Sequence, residues 1–132
     1  MPITYTIDRT GRTVYASASG VLTPQDLFAY QNEVWSMPEL RGYDECVDMQ
    51  AVTDIEAATD SNMKALAELS ARMDDPSAKS KFAIIAREDL HYGRARMYGT
   101  YRSMQPKSTR TLAIFRKRED ALRWLSGEST AS

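Results

Sequence analysis

The chain has 132 residues, 42% of them hydrophobic and 27% charged, with a formal net charge of −1 and one cysteine, Cys46. That length suits a single domain whose core needs neither metal nor disulfide, and a lone cysteine excludes an internal disulfide and any multi-thiolate metal site. No apolar run is long enough to span a bilayer as a helix, and the start reads as a strand rather than a secretion signal. The expected address is therefore the cytoplasm, with no integral membrane association.

Ile3-Thr4-Tyr5-Thr6-Ile7 alternates large apolar residues with threonine, the period of a half-buried strand. Asp8 to Gly11 reads as a turn, and Arg12 to Ala18 alternates again, so the two runs predict a hairpin. Gly20-Val21-Leu22 then leads into a helix start. Thr23 caps, Pro24 takes the first helical position and Asp26 suits the positive end of the helix dipole. Leu27, Phe28, Tyr30, Val34 and Trp35 make a wide apolar stripe that Pro38 ends.

Tyr43 to Met49 predicts a third strand with Cys46 and Val47 inside, ending near Asp48, followed by a polar loop from Gln50 to Thr59. A second helix opens at Asp60 or Ser61, carries Met63, Leu66, Ala67, Ser70 and Met73 on one face, and stops at Asp74-Asp75-Pro76. Lys81 to Ala86 is a continuous apolar run, as in a strand buried on both faces of a parallel sheet. A third helix follows Arg87-Glu88-Asp89, with Leu90, Arg94, Met97, Tyr98, Tyr101 and Met104 at helical spacing. Thr109 to Phe115 predicts the fifth strand and Glu119 to Leu125 the last helix. The order ββαβαβαβα implies an α/β fold, a mixed, mostly parallel five-stranded sheet with one antiparallel strand from the hairpin. The expected domain covers residues 1–126, and the small polar residues 127–132 read as a flexible C-terminal tail.

Charge is uneven along the chain. Residues 1–78 hold five Lys/Arg and 13 Asp/Glu, whereas residues 79–132 hold 12 and five. Either the two halves interleave into a mixed surface, or the second half offers a basic face to an anionic group or an acidic partner.

Several segments together resemble the STAS superfamily (sulfate transporter and anti-sigma-factor antagonist), in its SpoIIAA-like or STAS/SEC14 branch. They are Gly20 to Asp26, Cys46 to Met49, Ala83 to Ala86, Tyr92 to Tyr98, and Ile114 to Leu125. The resemblance covers nearly the whole chain and implies a class of small bacterial regulators or ligand carriers, without implying a reaction. In STAS regulators an Asp-Ser-Ser-Gly-like motif opens the second helix and its serine is phosphorylated. Asp60-Ser61-Asn62-Met63 lies at a similar place but lacks the second serine and the glycine. Ser61 is thus a candidate phosphoacceptor by resemblance and a first-turn or capping residue by its own chemistry.

The remaining candidates are few. His91, the sole histidine, reads as a surface or cap residue at the start of the third helix. Cys46 in mid-strand reads as a small buried hydrophobe. Asp48 ends a central strand and Asp54 and Glu56 follow in the loop, where α/β sheets bind ligands; the readings are a carboxylate pair or divalent-metal site there, or Asp48 accepting loop N–H bonds to hold the turn. Arg94 stands in an apolar stripe, so it is expected to pair with a carboxylate of the second helix or its loop, or to build an anion site with Arg87 or Arg116. Gly93 and Gly99 interrupt that helix, and are read as room for close packing on a neighbouring helix or a dimer partner, or for a ligand approaching the backbone. The methionines and tyrosines are read as core filling, with a Met- and Tyr-lined pocket as the minority reading.

No glycine-rich phosphate loop, metal spacing or nucleic-acid motif is recognised, so no cofactor, metal or nucleic acid is expected. Three hypotheses remain. The first is a non-enzymatic regulatory or protein-interaction module working through Asp48, Asp54, Asp60, Ser61, Arg87 and Arg94. The second is a carrier of a small apolar, lipid-like or anionic ligand. The third is an enzyme of unknown reaction built on Asp48, Asp54, His91 or the arginines. A homodimer is compatible with all three.

Overall fold

The computed structural model describes residues 2–56 and 59–127. The tail expected at 127–132 falls, from residue 128 on, outside the described residues. The hairpin forms from β1 (Ile3–Asp8) and β2 (Thr13–Leu22), antiparallel from Ile3 opposite Ala18 to Asp8 opposite Thr13. Its turn is fastened by Asp8, whose Oδ1 accepts from the Gly11 N–H at 2.9 Å. Thereafter come α1 (Pro24–Trp35), β3 (Asp44–Ile55), α2 (Asp60–Arg72), β4 (Lys81–Ile85), α3 (Asp89–Ser103), β5 (Thr111–Phe115) and α4 (Arg118–Leu125). No helix among the described residues is long and apolar enough to cross a membrane.

The α1 start follows from its first four residues. Thr23 Oγ1 accepts from the Asp26 N–H at 3.2 Å and Asp26 Oδ2 accepts from the Thr23 N–H at 3.0 Å, so two otherwise orphaned donors are satisfied reciprocally, with Pro24 needing no bond at the first helical position.

The sheet order is β1-β2-β3-β4-β5, with β2 to β5 parallel. Each crossover moves one strand in the same direction, and right-handed crossovers of that kind stack their helices on one face. That face holds α1, α2 and α3, and α4 packs on the other. Strand alternation sorts the core accordingly. Phe82 and Ile84 pack with Met63, Ala67, Ala95 and Tyr98 beneath α2 and α3. Cys46, Ala83 and Ile85 pack with Ala121, Phe115 and Trp124 beneath α4. Nearer the hairpin, Val14, Val34, Trp35, Leu40 and Tyr43 form a third cluster, and Ala18, Leu22, Val52 and Ile55 a fourth.

Three expectations need correction. The segment 50–55, expected to be loop, continues β3. Its polar composition hides a backbone that pairs with Ser19 to Leu22 of β2 past the end of β4, across two register shifts. Gly20, with φ +69, sits at this irregular stretch, where a left-handed residue suits a bulge. The inward stripe of α3 is His91, Ala95, Tyr98 and Arg102, whereas Leu90 and Met104 are 57% and 67% exposed. Apolar residues surround this helix, so periodicity alone could not choose its inner face. His91 is accordingly buried rather than on the surface.

Candidate functional site

Between the sheet and α1, α2 and α3 lies a cavity of about 90 Å³. Its wall runs along β3 through Val47, Met49 and Ile55 and is closed by Leu27, Met63, Leu66 and Ala95 from the helices. Roughly 10–15 Å³ suffices for one water, which also needs polar partners, and this wall supplies few. The space is suited to an apolar group.

Polar side chains stand at its two ends. At one end is Arg94 of α3, part-exposed, whose Nη1 donates to the Ile55 carbonyl at 3.1 Å and lies 3.7 Å from Asp54 Oδ1. A guanidinium has five N–H donors in a planar fork, so several remain for an anion. The Arg94 end lies where β3 finishes, the side of an α/β sheet on which ligands ordinarily bind.

At the other end the cavity meets Glu45, Tyr30 and Tyr98, which belong to a buried polar network. Glu45 Oε2 accepts from the Tyr30 hydroxyl at 2.7 Å and from Trp35 Nε1 at 3.1 Å. Arg110 lies 3.5 Å from Glu45 Oε1, donates Nε to Asp74 Oδ1 at 3.2 Å, and stacks 4.0 Å above the Trp35 ring. Arg102 grips both oxygens of Asp74 and donates Nη1 to Ser108 Oγ at 2.9 Å. Tyr98 shares a 2.6 Å hydrogen bond with Ser70 and accepts from Arg102 Nε at 3.3 Å. Two carboxylates thus balance two guanidiniums, and no buried side-chain N or O among the described residues lacks a partner. Burial, then the Glu45 carboxylate, pushes the Tyr30 hydroxyl well above its ordinary pKa, and burial raises Tyr98 as well. Burial opposes the charge on Arg102, but Asp74 and Tyr98 together outweigh it and hold the group above its usual range. The sequence does not reveal this network, because each of its residues is ordinary alone. The only signal was Arg102 seven residues after Ala95 and four after Tyr98, on one helix face.

The six candidate residues do not form one site. Asp54 and Arg94 come together. Asp48 lies on the α4 face, accepting from the Gln50 N–H at 2.9 Å and standing 3.5 Å from Arg118. Arg87 is exposed, and its carbonyl accepts from Arg116 Nη1 at 3.0 Å. Arg116 itself pairs with Asp89 at 2.6 Å and covers the Tyr92 ring at 4.2 Å, so it joins neither Arg94 nor the cavity. Asp60 and Ser61 are exposed in the first turn of α2. The cap there is Thr59, whose Oγ1 accepts from the Asn62 N–H at 3.2 Å. Cys46 is buried under α4, and burial pushes its thiol up to about 11. Among the described residues no group of three or more His, Cys, Asp or Glu is placed to hold a metal ion.

No family model matches this sequence, and no curated protein matches it. A solved structure does. It is an uncharacterized protein from the DUF3478 family with a SpoIIAA-like fold, from Shewanella loihica PV-4, similar at a TM-score of 0.60 over 93% of each chain with 17% sequence identity. At that identity the likeness speaks for architecture alone, and the five-stranded, mostly parallel sheet with its four helices is a SpoIIAA-like fold.

Proposed function

We propose that this protein is a non-enzymatic binding module that takes a small apolar or amphipathic ligand into the cavity between the sheet and α1 to α3. Where the ligand carries an anionic end, that end meets Arg94. The observation that carries this reading is the pairing of an apolar hollow with one part-exposed guanidinium at its end. Hydrophobic lining with a few placed polar groups is how small-molecule sites are generally built. A non-catalytic role is supported by the dispersal of the ionisable candidates: Asp48, Asp54 and His91 make no hydrogen bond to one another among the described residues. Native mass spectrometry after gentle purification tests the reading. A retained small amphipathic adduct is expected, and a bare chain that also fails to bind hexanoate or hexanol counts against it.

A regulatory role through partner docking is a second reading. It is favoured by Ser61, which is exposed and makes no side-chain hydrogen bond among the described residues, leaving its hydroxyl open to modification. A phosphate there would meet free N–H groups of the first turn of α2, against repulsion from Asp60. Mass spectrometry of the protein isolated from its own cells is expected to find phosphate on Ser61 under this reading and none otherwise.

A further inference from the structure

β5 closes the sheet on one side and only β4 pairs with it among the described residues. Thr111 donates to Ser80 at 2.9 Å and Phe115 accepts from Ala86 at 2.8 Å, so the residues facing β4 are 111, 113 and 115. In a parallel ladder alternate residues face opposite sides, which leaves the N–H and C=O groups of Leu112 and Ile114 pointing outward.

Sheet edges are ordinarily guarded by charge, proline or a bulge. Thr111-Leu112-Ala113-Ile114-Phe115 has none of these, and its pairing with β4 is regular. Beside the edge runs an open groove of about 320 Å³ lined by Arg96, Gly99, Thr100, Ser103, Leu112 and Ile114. Gly99 brings α3 close to the strand, since a Cβ there would sit 3.1 Å from Leu112 Cδ2.

The charged side chains that line the groove, Arg96, Arg102 and Arg110, are all basic. Residues 88–118 hold eight Lys/Arg and two acidic residues. Asp74, Glu45, Asp89 and Asp48 occupy Arg102, Arg110, Arg116 and Arg118, while Arg96, Lys107 and Lys117 have no ion-pair partner among the described residues. A second copy is a poor occupant. Pairing two β5 edges would bring together two sets of the unpaired cations Arg96, Lys107 and Lys117, and like charges juxtaposed across an interface are unfavourable.

We propose that the outer edge of β5 docks an extended acidic segment of a partner protein, which adds as a further strand and sets its carboxylates towards Arg96 and the two lysines. The backbone would supply affinity and the cationic rim the selectivity, as in strand-addition recognition generally. This surface is separate from the apolar cavity and does not depend on a ligand there.

The test uses two synthetic peptides, one alternating valine with glutamate and one alternating valine with lysine. The glutamate peptide is expected to bind, to protect the Leu112 and Ile114 amides from hydrogen exchange, and to weaken as salt rises. Ile114→Pro should abolish binding with the fold intact by circular dichroism, because its N–H serves no bond in the sheet and proline is tolerated at such edge positions. Arg96→Glu should weaken binding about tenfold, roughly 1.4 kcal/mol. Equal binding of both peptides, unprotected Leu112 and Ile114 amides, or a β5–β5 dimer by sedimentation would each overturn the proposal.

Discussion

Arg94 reaches from α3 to the last residue of β3, where its Nη1 donates to the Ile55 carbonyl at 3.1 Å. That bond fixes the guanidinium where the apolar cavity meets the carboxyl end of the strand, while the 3.7 Å approach to the exposed Asp54 leaves it incompletely neutralised. The functional reading follows from this pair, because a cation held beside an apolar hollow discriminates between ligands by their headgroups.

Arg94→Ala should therefore weaken hexanoate binding about tenfold or more, in line with the roughly 1.5–3 kcal/mol of a hydrogen bond to a charged group. Hexanol, which has no charge, should lose little. Calorimetric titration of both probes checks the split. The stability loss should stay within about 1 kcal/mol, since an exposed ion pair contributes little.

Ala95 is buried on the inner stripe of α3 and lines the cavity. Ala95→Leu should fill the space and block hexanoate, with stability changed by no more than about 1–3 kcal/mol in either direction, as cavity filling and overpacking compete. Titration combined with urea unfolding measures both. Unchanged hexanoate affinity in this variant would put the ligand elsewhere.

Asp74 holds Arg102 and Arg110 at once, with side-chain exposures of 2%, 4% and 6%. Asp74→Asn leaves Arg102 buried without a carboxylate and Arg110 with Glu45 alone, so a loss of about 3–5 kcal/mol is expected. Asp48→Asn, whose partner Arg118 is half-exposed, should cost about 1 kcal/mol or less. Urea unfolding of the two variants side by side makes the comparison.

Alkaline pH should destabilise the protein through Cys46. Burial raises its pKa from 9.0 to about 11, so the folded state holds the proton more tightly than the unfolded chain. Its contribution is complete below pH 9 and is lost as pH rises towards 11, up to about 3 kcal/mol at roughly 1.4 kcal/mol per unit. Tyr30 and Tyr98, also raised by burial, act in the same direction at still higher pH. Chemical denaturation across this range should show Cys46→Ala losing less stability than the parent chain.

Local chemistry made most of the architecture legible. Thr23-Pro24-Gln25-Asp26 predicted a capped helix start and forms one, and the run from Lys81 to Ala86 predicted a strand buried on both faces and contains β4. The end of β3 was missed because Gln50, Ala51, Thr53 and Asp54 are exposed and only pairing with β2 makes them strand. The site was less legible still. Arg94 is recognisable as a cation on an apolar stripe that calls for a carboxylate from the second helix or the segment before it, and Asp54 lies in that segment. That Leu27, Val47 and Ala95 enclose a cavity with it, or that Glu45, Asp74, Arg102 and Arg110 meet, depends on four separate elements converging, and no local pattern encodes that.

The most direct measurement is an NMR search for contacts between isotope-labelled hexanoate and the protein's methyl groups. Cross-peaks from the ligand chain to the methyls of Val47, Met63 and Ala95, weakened in Arg94→Ala, are the predicted result. Saturable binding with contacts only to surface methyls such as Val21 or Leu90, or no binding at all, would contradict the account.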